Sequence, residues 1–130
     1  MSKILVVDDL AQDLELLTIL ASSHEGAEVF KAANGNEALE IARREKPDLL
    51  IADIKMPVMD GYELVRRIRE DPLLKNMEVI FYTAHFFDKE AAFASAIKLG
   101  VSRVIFKPTE PSEILKAIDL ALQHKEFSKL

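Results

Sequence analysis

Residues 47–64 read PDLLIADIKMPVMDGYEL, a short apolar run followed by one carboxylate and a loop. The run 49–52 is apolar throughout, which is typical of a strand buried on both faces of a parallel sheet. Asp53 follows that strand directly, at the carboxyl end where open α/β sheets bind their ligands. Pro57 and Gly61 indicate a loop, and an amphipathic helix is predicted after it. The stretch therefore places a single acidic group at the tip of a buried strand.

The rest of the chain repeats this unit of strand and helix. Further strands are predicted at 4–7, 27–32, 78–82 and 101–106. A helical pattern follows each of them, and this alternation predicts an α/β fold with a doubly wound, five-stranded parallel sheet covered by helices on both faces. Glu28 and Lys31 indicate that the second strand lies at an edge of the sheet, where charge discourages unwanted pairing.

Length and composition suit one globular domain. With 130 residues, of which 49% are hydrophobic, the chain can bury a real core and is not expected to be disordered. We predict a single domain over residues 1–130, with a core at about 3–124 and a frayed tail at 125–130.

Charge and residue types exclude several classes of protein. The net charge of −5 argues against nucleic acid as a direct partner, and the lack of cysteine excludes disulfides and thiolate metal sites. No apolar run approaches the length that spans a membrane, and the first residues lead directly into a strand, which leaves no room for a signal peptide. A cytoplasmic location without membrane insertion is therefore expected.

Polar side chains stand at the ends of four of the five predicted strands. They are Asp8 and Asp9, Asp53, Thr83, and Lys107. The carboxyl ends of parallel strands share one edge of the sheet, so these residues can converge. Three crowded carboxylates repel one another, and a hard divalent ion such as Mg²⁺ would neutralise them. Together with an ammonium and a hydroxyl they predict a site for a phosphoryl group, in which Asp53 could be the nucleophile that forms an aspartyl-phosphate.

Each of these residues also has a structural interpretation when it is taken alone. Asp8 and Asp9 suit a helix N-cap and its neighbour. Thr83 suits a hydroxyl bonded to backbone at a strand end, and Lys107 suits a solvated surface lysine. In this order and on these elements, however, the residues jointly favour the functional interpretation.

Two further groups of residues are predicted to be outside any site. The first group is the three histidines, which lack the paired spacing of metal ligands: His24, His85 and His124. Three aromatic residues are predicted to belong to the core instead of a binding site, namely Phe81, Phe93 and Phe106.

Four of the predicted strands are each followed by a short motif. The motifs are Asp8-Asp9, Asp53 followed by Met56-Pro57 and Asp60-Gly61, Thr83-Ala84, and Lys107-Pro108. In this order they resemble the receiver domain of two-component response regulators, the CheY-like superfamily, over about residues 3–124. The resemblance implies a flavodoxin-like fold with the strand order 2-1-3-4-5, which the alternation of elements alone leaves open.

The resemblance also implies roles for the polar residues. Asp9 and Asp53 would bind Mg²⁺ directly, Asp8 would act largely through water, and Lys55 would offer its backbone carbonyl. Asp53 would accept a phosphoryl group from a histidine kinase or a phosphotransfer protein. The phosphoryl oxygens would be held by Thr83 and Lys107, with a cis bond between Lys107 and Pro108.

By the same resemblance the chain would be a phosphoacceptor signalling domain, not an enzyme in the usual sense. Phosphorylation would switch the surface formed by helix four, strand five and helix five. That surface would signal to an attached or separate output module, and the family also allows a homodimer through it.

The sequence departs from the family pattern at several positions. Val104 stands three residues before the lysine, where the family usually has tyrosine or phenylalanine, and Thr109-Glu110-Pro111 replaces an apolar residue after Lys107-Pro108. Lys55 and His85 occupy the positions two residues beyond Asp53 and Thr83, where side chains tune dephosphorylation in the family. The departures affect the predicted output and signal lifetime, and they leave the predicted site intact.

Two other classes of function fit the sequence less well. A hydrolase of the haloacid dehalogenase type needs a second acid two residues after its nucleophile, and Lys55 stands there. The same fold could also serve as an interaction module that is never phosphorylated, but the presence of Asp9, Asp53 and Lys107 counts against it. A flavin binder would need a loop rich in Ser, Thr and Gly after the first strand, and the chain has none there.

Overall fold

Strands and helices alternate along the chain, as the sequence predicts. The structure is a computed structural model that describes residues 1–84 and 89–128. The strands are β1 Ser2–Val7, β2 Ala27–Ala32, β3 Leu49–Ala52, β4 Glu78–Thr83 and β5 Arg103–Phe106. The helices are α1 Ala11–Ser22, α2 Gly35–Glu45, α3 Gly61–Glu70, α4 Lys89–Lys98 and α5 Pro111–Ser128. No helix in the described ranges is both long and apolar enough to cross a membrane.

The strands form one parallel sheet in the order β2-β1-β3-β4-β5. This confirms the flavodoxin-like α/β fold that the resemblance implies. It also confirms that the charged strand β2 lies at an edge. In the centre of the sheet Val7 pairs with Ala52, and Ala52 pairs with Phe81, so β1 and β3 end side by side and β4 runs two residues further, to Thr83.

Alternate residues of the central strands supply two separate hydrophobic cores. Leu5 and Leu50 face the core beneath α2 and α3, whereas Ile4 and Leu49 face the core beneath α1 and α5. All four side chains are fully buried. Burial on both faces explains why the strands read as continuous apolar runs instead of alternating ones.

Helices α2 and α3 each begin with a side-chain cap. Asn34 Oδ1 accepts from the backbone N–H of Glu37 at 2.8 Å, and Asp60 Oδ1 accepts from that of Glu63 at 2.8 Å. These caps satisfy backbone donors that the first helical turn leaves unpaired. Helix α2 therefore begins at Gly35 and α3 at Gly61, each directly after its capping residue.

Both ends of the C-terminal unit differ from the sequence-based boundaries. Strand β5 begins at Arg103, two residues later than predicted, and α5 continues to Ser128, although a frayed tail was expected from Lys125. The Lys125 ammonium donates to the carbonyl of Asn76 at 2.9 Å, and this long-range contact holds the last turns of α5. Asp88 is a residue type typical of a helix N-cap and is predicted to cap the fourth helix, but it lies outside the described residues.

The prediction that three phenylalanines are core residues holds only for Phe81, which is fully buried. Phe93 on α4 is 44% exposed, so its assignment to the core was wrong, and Phe106 is half-buried. These two rings pack edge to face with their centroids 5.6 Å apart. Because β5 is the edge strand of the sheet, nothing in the sheet lies beyond it to enclose the pair.

Candidate functional site

The ends of β1, β3, β4 and β5 bring the predicted polar residues to one edge of the sheet. Asp8, Asp53 and Lys107 each follow the last residue of a strand, and Thr83 is the last residue of β4. The Asp53 N–H donates to the carbonyl of Val7 at 3.1 Å, and the Lys107 N–H donates to the carbonyl of Thr83 at 2.8 Å. Backbone pairing therefore continues past the strands and fixes where each of these side chains begins.

Three carboxylates form a compact group at this edge. Asp8, Asp9 and Asp53 each offer an oxygen, and these oxygens lie within 4.8 Å of one another. Asp8 is fully buried and Asp53 is 5% exposed, whereas Asp9 is exposed. Two buried carboxylates and one at the surface form a group that is open to solvent on one side.

The oxygen atom Asp53 Oδ1 is buried and has no hydrogen-bond partner among the described residues. A buried carboxylate oxygen without a partner is costly, and native structures avoid such atoms unless an ion, water or ligand meets them. The neighbouring donors are carboxylate oxygens, which hard cations such as Mg²⁺ prefer. The residues present therefore fit a divalent cation bound among Asp8, Asp9 and Asp53.

The ammonium of Lys107 contacts two members of the carboxylate group and one further carboxylate. It donates to Asp8 Oδ2 at 2.9 Å, to Asp13 Oδ2 at 2.8 Å and to Asp53 Oδ2 at 3.2 Å. It also lies 5.2 Å from the centre of the Tyr82 ring. The Lys107 side chain is 9% exposed, so the interpretation of this residue as a solvated surface lysine does not hold.

Burial and hydrogen bonding act in opposite directions on the charges of the site. Burial alone would lower the pKa of Lys107, but hydrogen bonds to Asp13 and Asp8 and the charges of Asp8 and Asp53 raise it above its usual value. Burial raises the pKa of Asp8, against the hydrogen bonds from Lys107 and from the Leu10 N–H. Lys107 therefore remains a cation at neutral pH.

Asp13 is a site residue that the sequence analysis missed. It lies in the first turn of α1, and its contact with Lys107 spans 94 positions of the chain. One signal was present in the sequence, because the helix after a parallel strand begins at the carboxyl edge of the sheet. An acidic residue in that first turn can therefore face the same edge as Asp8 and Asp53.

The loop between β3 and α3 packs against the backbone of Asp53 and Ile54. The Gly61 N–H donates to the carbonyl of Ile54 at 2.7 Å, which closes the loop onto the end of the strand. A Cβ at Gly61 would lie 2.5 Å from the carbonyl oxygen of Asp53 and 2.9 Å from the Cα of Ile54. Only glycine allows this approach, so Gly61 sets the position of the Asp53 backbone.

Other predicted residues lie near the edge without joining the carboxylate group. Thr83 is fully buried at the end of β4. Lys55 lies two residues beyond Asp53 with its side chain exposed, and Val104 is half-buried against the core beneath α2 and α3. The Lys107-Pro108 peptide bond is cis, as the resemblance implies. His85 lies outside the described residues.

The chain is similar to known proteins over nearly all of its length. Residues 4–119 match the family model of the response regulator receiver domain. Protein PilH of Pseudomonas aeruginosa is 33% identical over 122 residues, which cover 94% of this chain and 98% of PilH. Sporulation initiation phosphotransferase F of Bacillus subtilis is 35% identical over 116 residues, which cover 89% of this chain and 90% of that protein.

Solved structures give the same result. A response regulator receiver domain protein from Clostridium thermocellum superposes with a TM-score of 0.85 at 31% identity, and the match covers 98% of each chain. The sheet order, the motifs at the strand ends and the match over residues 4–119 agree. The chain therefore belongs to the receiver domains of two-component response regulators.

Proposed function

We propose that the chain is a phosphoacceptor switch and that Asp53 accepts the phosphoryl group. The observation that carries this proposal is that the Asp53 carboxylate is grouped with Asp8 and Asp9 and also contacts the Lys107 ammonium through Oδ2, while Oδ1 is unpaired among the described residues. An Asp53 oxygen attacks the phosphorus of a phosphohistidine, and a new P–O bond forms while the P–N bond breaks. The bond electrons stay on the imidazole, which takes up a proton, and an aspartyl-phosphate results.

Other residues at the carboxyl edge of the sheet would hold the metal ion and the phosphoryl oxygens. Asp8, Asp9 and Asp53, with the backbone carbonyl of Lys55, would hold Mg²⁺. When bound, Mg²⁺ supplies positive charge that stabilises the phosphoryl oxygens. Lys107 would donate to one of those oxygens, because its ammonium already lies 3.2 Å from Asp53 Oδ2. Thr83, buried at the end of β4, donates its hydroxyl to another.

Phosphorylation by a small-molecule donor tests this function without the natural kinase. We would incubate the full chain with acetyl phosphate and Mg²⁺ and measure its intact mass. The expected result is a gain of one phosphoryl group, and no gain when a chelator is present from the start of the incubation. A chain that gains no mass under these conditions would contradict the proposal.

Asp9→Ala is expected to weaken Mg²⁺ binding by roughly tenfold or more, because it removes one ligand of the carboxylate group. In the absence of metal it is expected to raise the melting temperature, because it relieves repulsion between like charges. Calorimetric titration and thermal unfolding measure the two effects. Glu40→Ala, which removes an exposed carboxylate of α2, is the control and should leave Mg²⁺ affinity unchanged. Equal Mg²⁺ affinity in Asp9→Ala and the parent chain would refute this assignment.

The partners that we propose follow from the family. The phosphoryl donor is a histidine kinase or a phosphotransfer protein. The phosphorylated chain would then signal to an attached or separate output module. The surface of α4, β5 and α5 carries exposed apolar side chains that suit such contacts or a homodimer. They are Phe93, Ile97 and Leu120, which are 44%, 77% and 51% exposed.

Val104 is expected to weaken the coupling between Asp53 and the surface of α4, β5 and α5. In the family an aromatic side chain at this position turns inward when the domain is phosphorylated. Valine is short and its χ1 is restricted, so the burial of a whole ring, worth on the order of 2 kcal/mol, is absent from the switch. A ligand shifts a conformational equilibrium only by its different affinity for the two states.

NMR chemical shifts with and without beryllofluoride, which stands in for the phosphoryl group, measure this coupling. We expect changes in chemical shift that are largely confined to the site and to residues 84–90. Phe86 and Phe87 are predicted to carry part of the change. Both residues lie outside the described part of the chain. Asp53→Asn is the control for binding at the site. Large shifts across residues 101–106 and α5 would refute the prediction.

A further inference from the structure

The ammonium of Lys107 uses its full capacity for hydrogen bonds on carboxylates. It donates to Asp13 at 2.8 Å, to Asp8 at 2.9 Å and to Asp53 at 3.2 Å. A lysine ammonium has three N–H groups and no acceptor. Under the proposed function Lys107 must also donate to a phosphoryl oxygen on Asp53. One of the three existing bonds then has to be released.

The bond to Asp13 can be released at the lowest cost. Asp8 is fully buried, so water cannot readily replace the ammonium at Asp8 Oδ2, although Oδ1 would keep its bond from the Leu10 N–H. The Asp13 side chain is 27% exposed, and water can solvate it once the ammonium has moved. The bond to Asp53 is the longest of the three, but Lys107 must stay beside Asp53 in order to reach a phosphoryl group there. A shift of the ammonium away from Asp13 meets this requirement, whereas a shift away from Asp53 does not.

We propose that Asp13 is a positioning residue, which holds Lys107 in a resting position and competes with the phosphoryl oxygens for its ammonium. This inference rests on the proposed function of Asp53. It concerns a carboxylate in the first turn of α1, outside the group of Asp8, Asp9 and Asp53 that would hold the metal ion. Asp13 would therefore act on the anionic ligand through Lys107, and it is not among the carboxylates that would hold the ion.

The charge of Asp13 acts in the same direction as this competition. Asp13 adds a fourth carboxylate to an edge whose proposed ligand is itself an anion, and like charges at short distances repel. Removing this charge is expected to favour the anion both by freeing Lys107 and by lowering repulsion. The same loss cannot favour a cation, so the affinities for anion and cation should respond differently.

Binding of beryllofluoride and of Mg²⁺ to the full chain separates these effects. In saturating Mg²⁺, Asp13→Asn is expected to lower the dissociation constant for beryllofluoride by roughly three- to tenfold, the range of a partly exposed ion pair. Asp13→Ala, which also removes the acceptor oxygen, should lower it at least as much. For Mg²⁺ alone, Asp13→Asn should leave the affinity unchanged or weaken it. If Asp13 only maintained the structure of the site, its removal would weaken the binding of both ligands.

Two control variants isolate the contact with Lys107. Asp13→Glu keeps the charge in the first turn of α1 and should bind beryllofluoride nearly as the parent chain does. Glu15→Gln removes one charge from an exposed position of the same helix, and it should leave beryllofluoride affinity unchanged. If Glu15→Gln tightens binding as much as Asp13→Asn, the effect is one of general charge and the inference is wrong.

The parent chain distinguishes failure of this inference from failure of the proposed function. If the parent chain does not bind beryllofluoride in Mg²⁺, the proposed function fails and the inference fails with it. If the parent chain binds and Asp13→Asn binds equally or more weakly, the proposed function stands and only the role of Asp13 is refuted.

Discussion

Asp53→Asn is expected to abolish covalent phosphorylation by acetyl phosphate. An amide lacks the anionic oxygen that attacks phosphorus, and it cannot form the acyl phosphate. The substitution keeps the size of the side chain and removes a buried charge, so the fold should be retained. Intact mass after incubation with acetyl phosphate and Mg²⁺ should show the parent chain with one added phosphoryl group and the variant with none.

Asp60→Asn is the matched control for this loss. Asp60 lies in the same loop, and its side chain accepts from the Glu63 N–H at the start of α3. Asparagine caps a helix about as well as aspartate, so this variant should fold and accept a phosphoryl group as the parent chain does. Labelling of Asp53→Asn at the level of Asp60→Asn would show that another residue is the acceptor.

Gly61→Ala is expected to cause the largest loss of stability, about 3 kcal/mol in the free energy of unfolding. The added Cβ would lie 2.5 Å from the Asp53 carbonyl oxygen and 2.9 Å from the Ile54 Cα. Both are backbone atoms at the end of a central strand, and they can move only if the sheet edge moves. Denaturant unfolding of the variant and the parent chain gives this difference directly.

Gly35→Ala provides a control at the same position of another helix, since Gly35 and Gly61 are the first residues of α2 and α3. A Cβ at Gly35 would meet side-chain atoms of Met59 at 2.8–2.9 Å. The Met59 Sδ and Cγ can move by rotation of the side chain, but its Cβ moves only with the loop backbone, so the expected loss is smaller than at Gly61 and still about 2 kcal/mol. Equal losses in the two variants would contradict the close approach of Gly61 to the Asp53 backbone.

The carboxyl edge of the sheet could be predicted because its geometry follows from local patterns. Apolar runs define the strands, and parallel strands end at a common edge, so Asp8, Asp53 and Lys107 could be brought together from their positions in the sequence. Alternation alone left the strand order open. The motif resemblance supplied the order 2-1-3-4-5, and the structure confirms it.

The features that the sequence did not reveal depend on contacts between distant parts of the chain. Asp13 gains its partner only when Lys107, 94 positions away, arrives at the same edge. The last turns of α5 include a contact of Lys125 with the carbonyl of Asn76, 49 positions away. Phe93 has an apolar pattern typical of core, but its exposure follows from the place of β5 at the edge of the sheet.

Identification of the modified residue tests the central claim most directly. Borohydride reduces an acyl phosphate to an alcohol, so an aspartyl-phosphate becomes a homoserine that tandem mass spectrometry can locate. After incubation of the parent chain with acetyl phosphate and Mg²⁺, we expect homoserine at position 53 and at no other aspartate. Homoserine at another position, or none when the intact chain carries a phosphoryl group, would contradict the assignment of Asp53 as the phosphoacceptor.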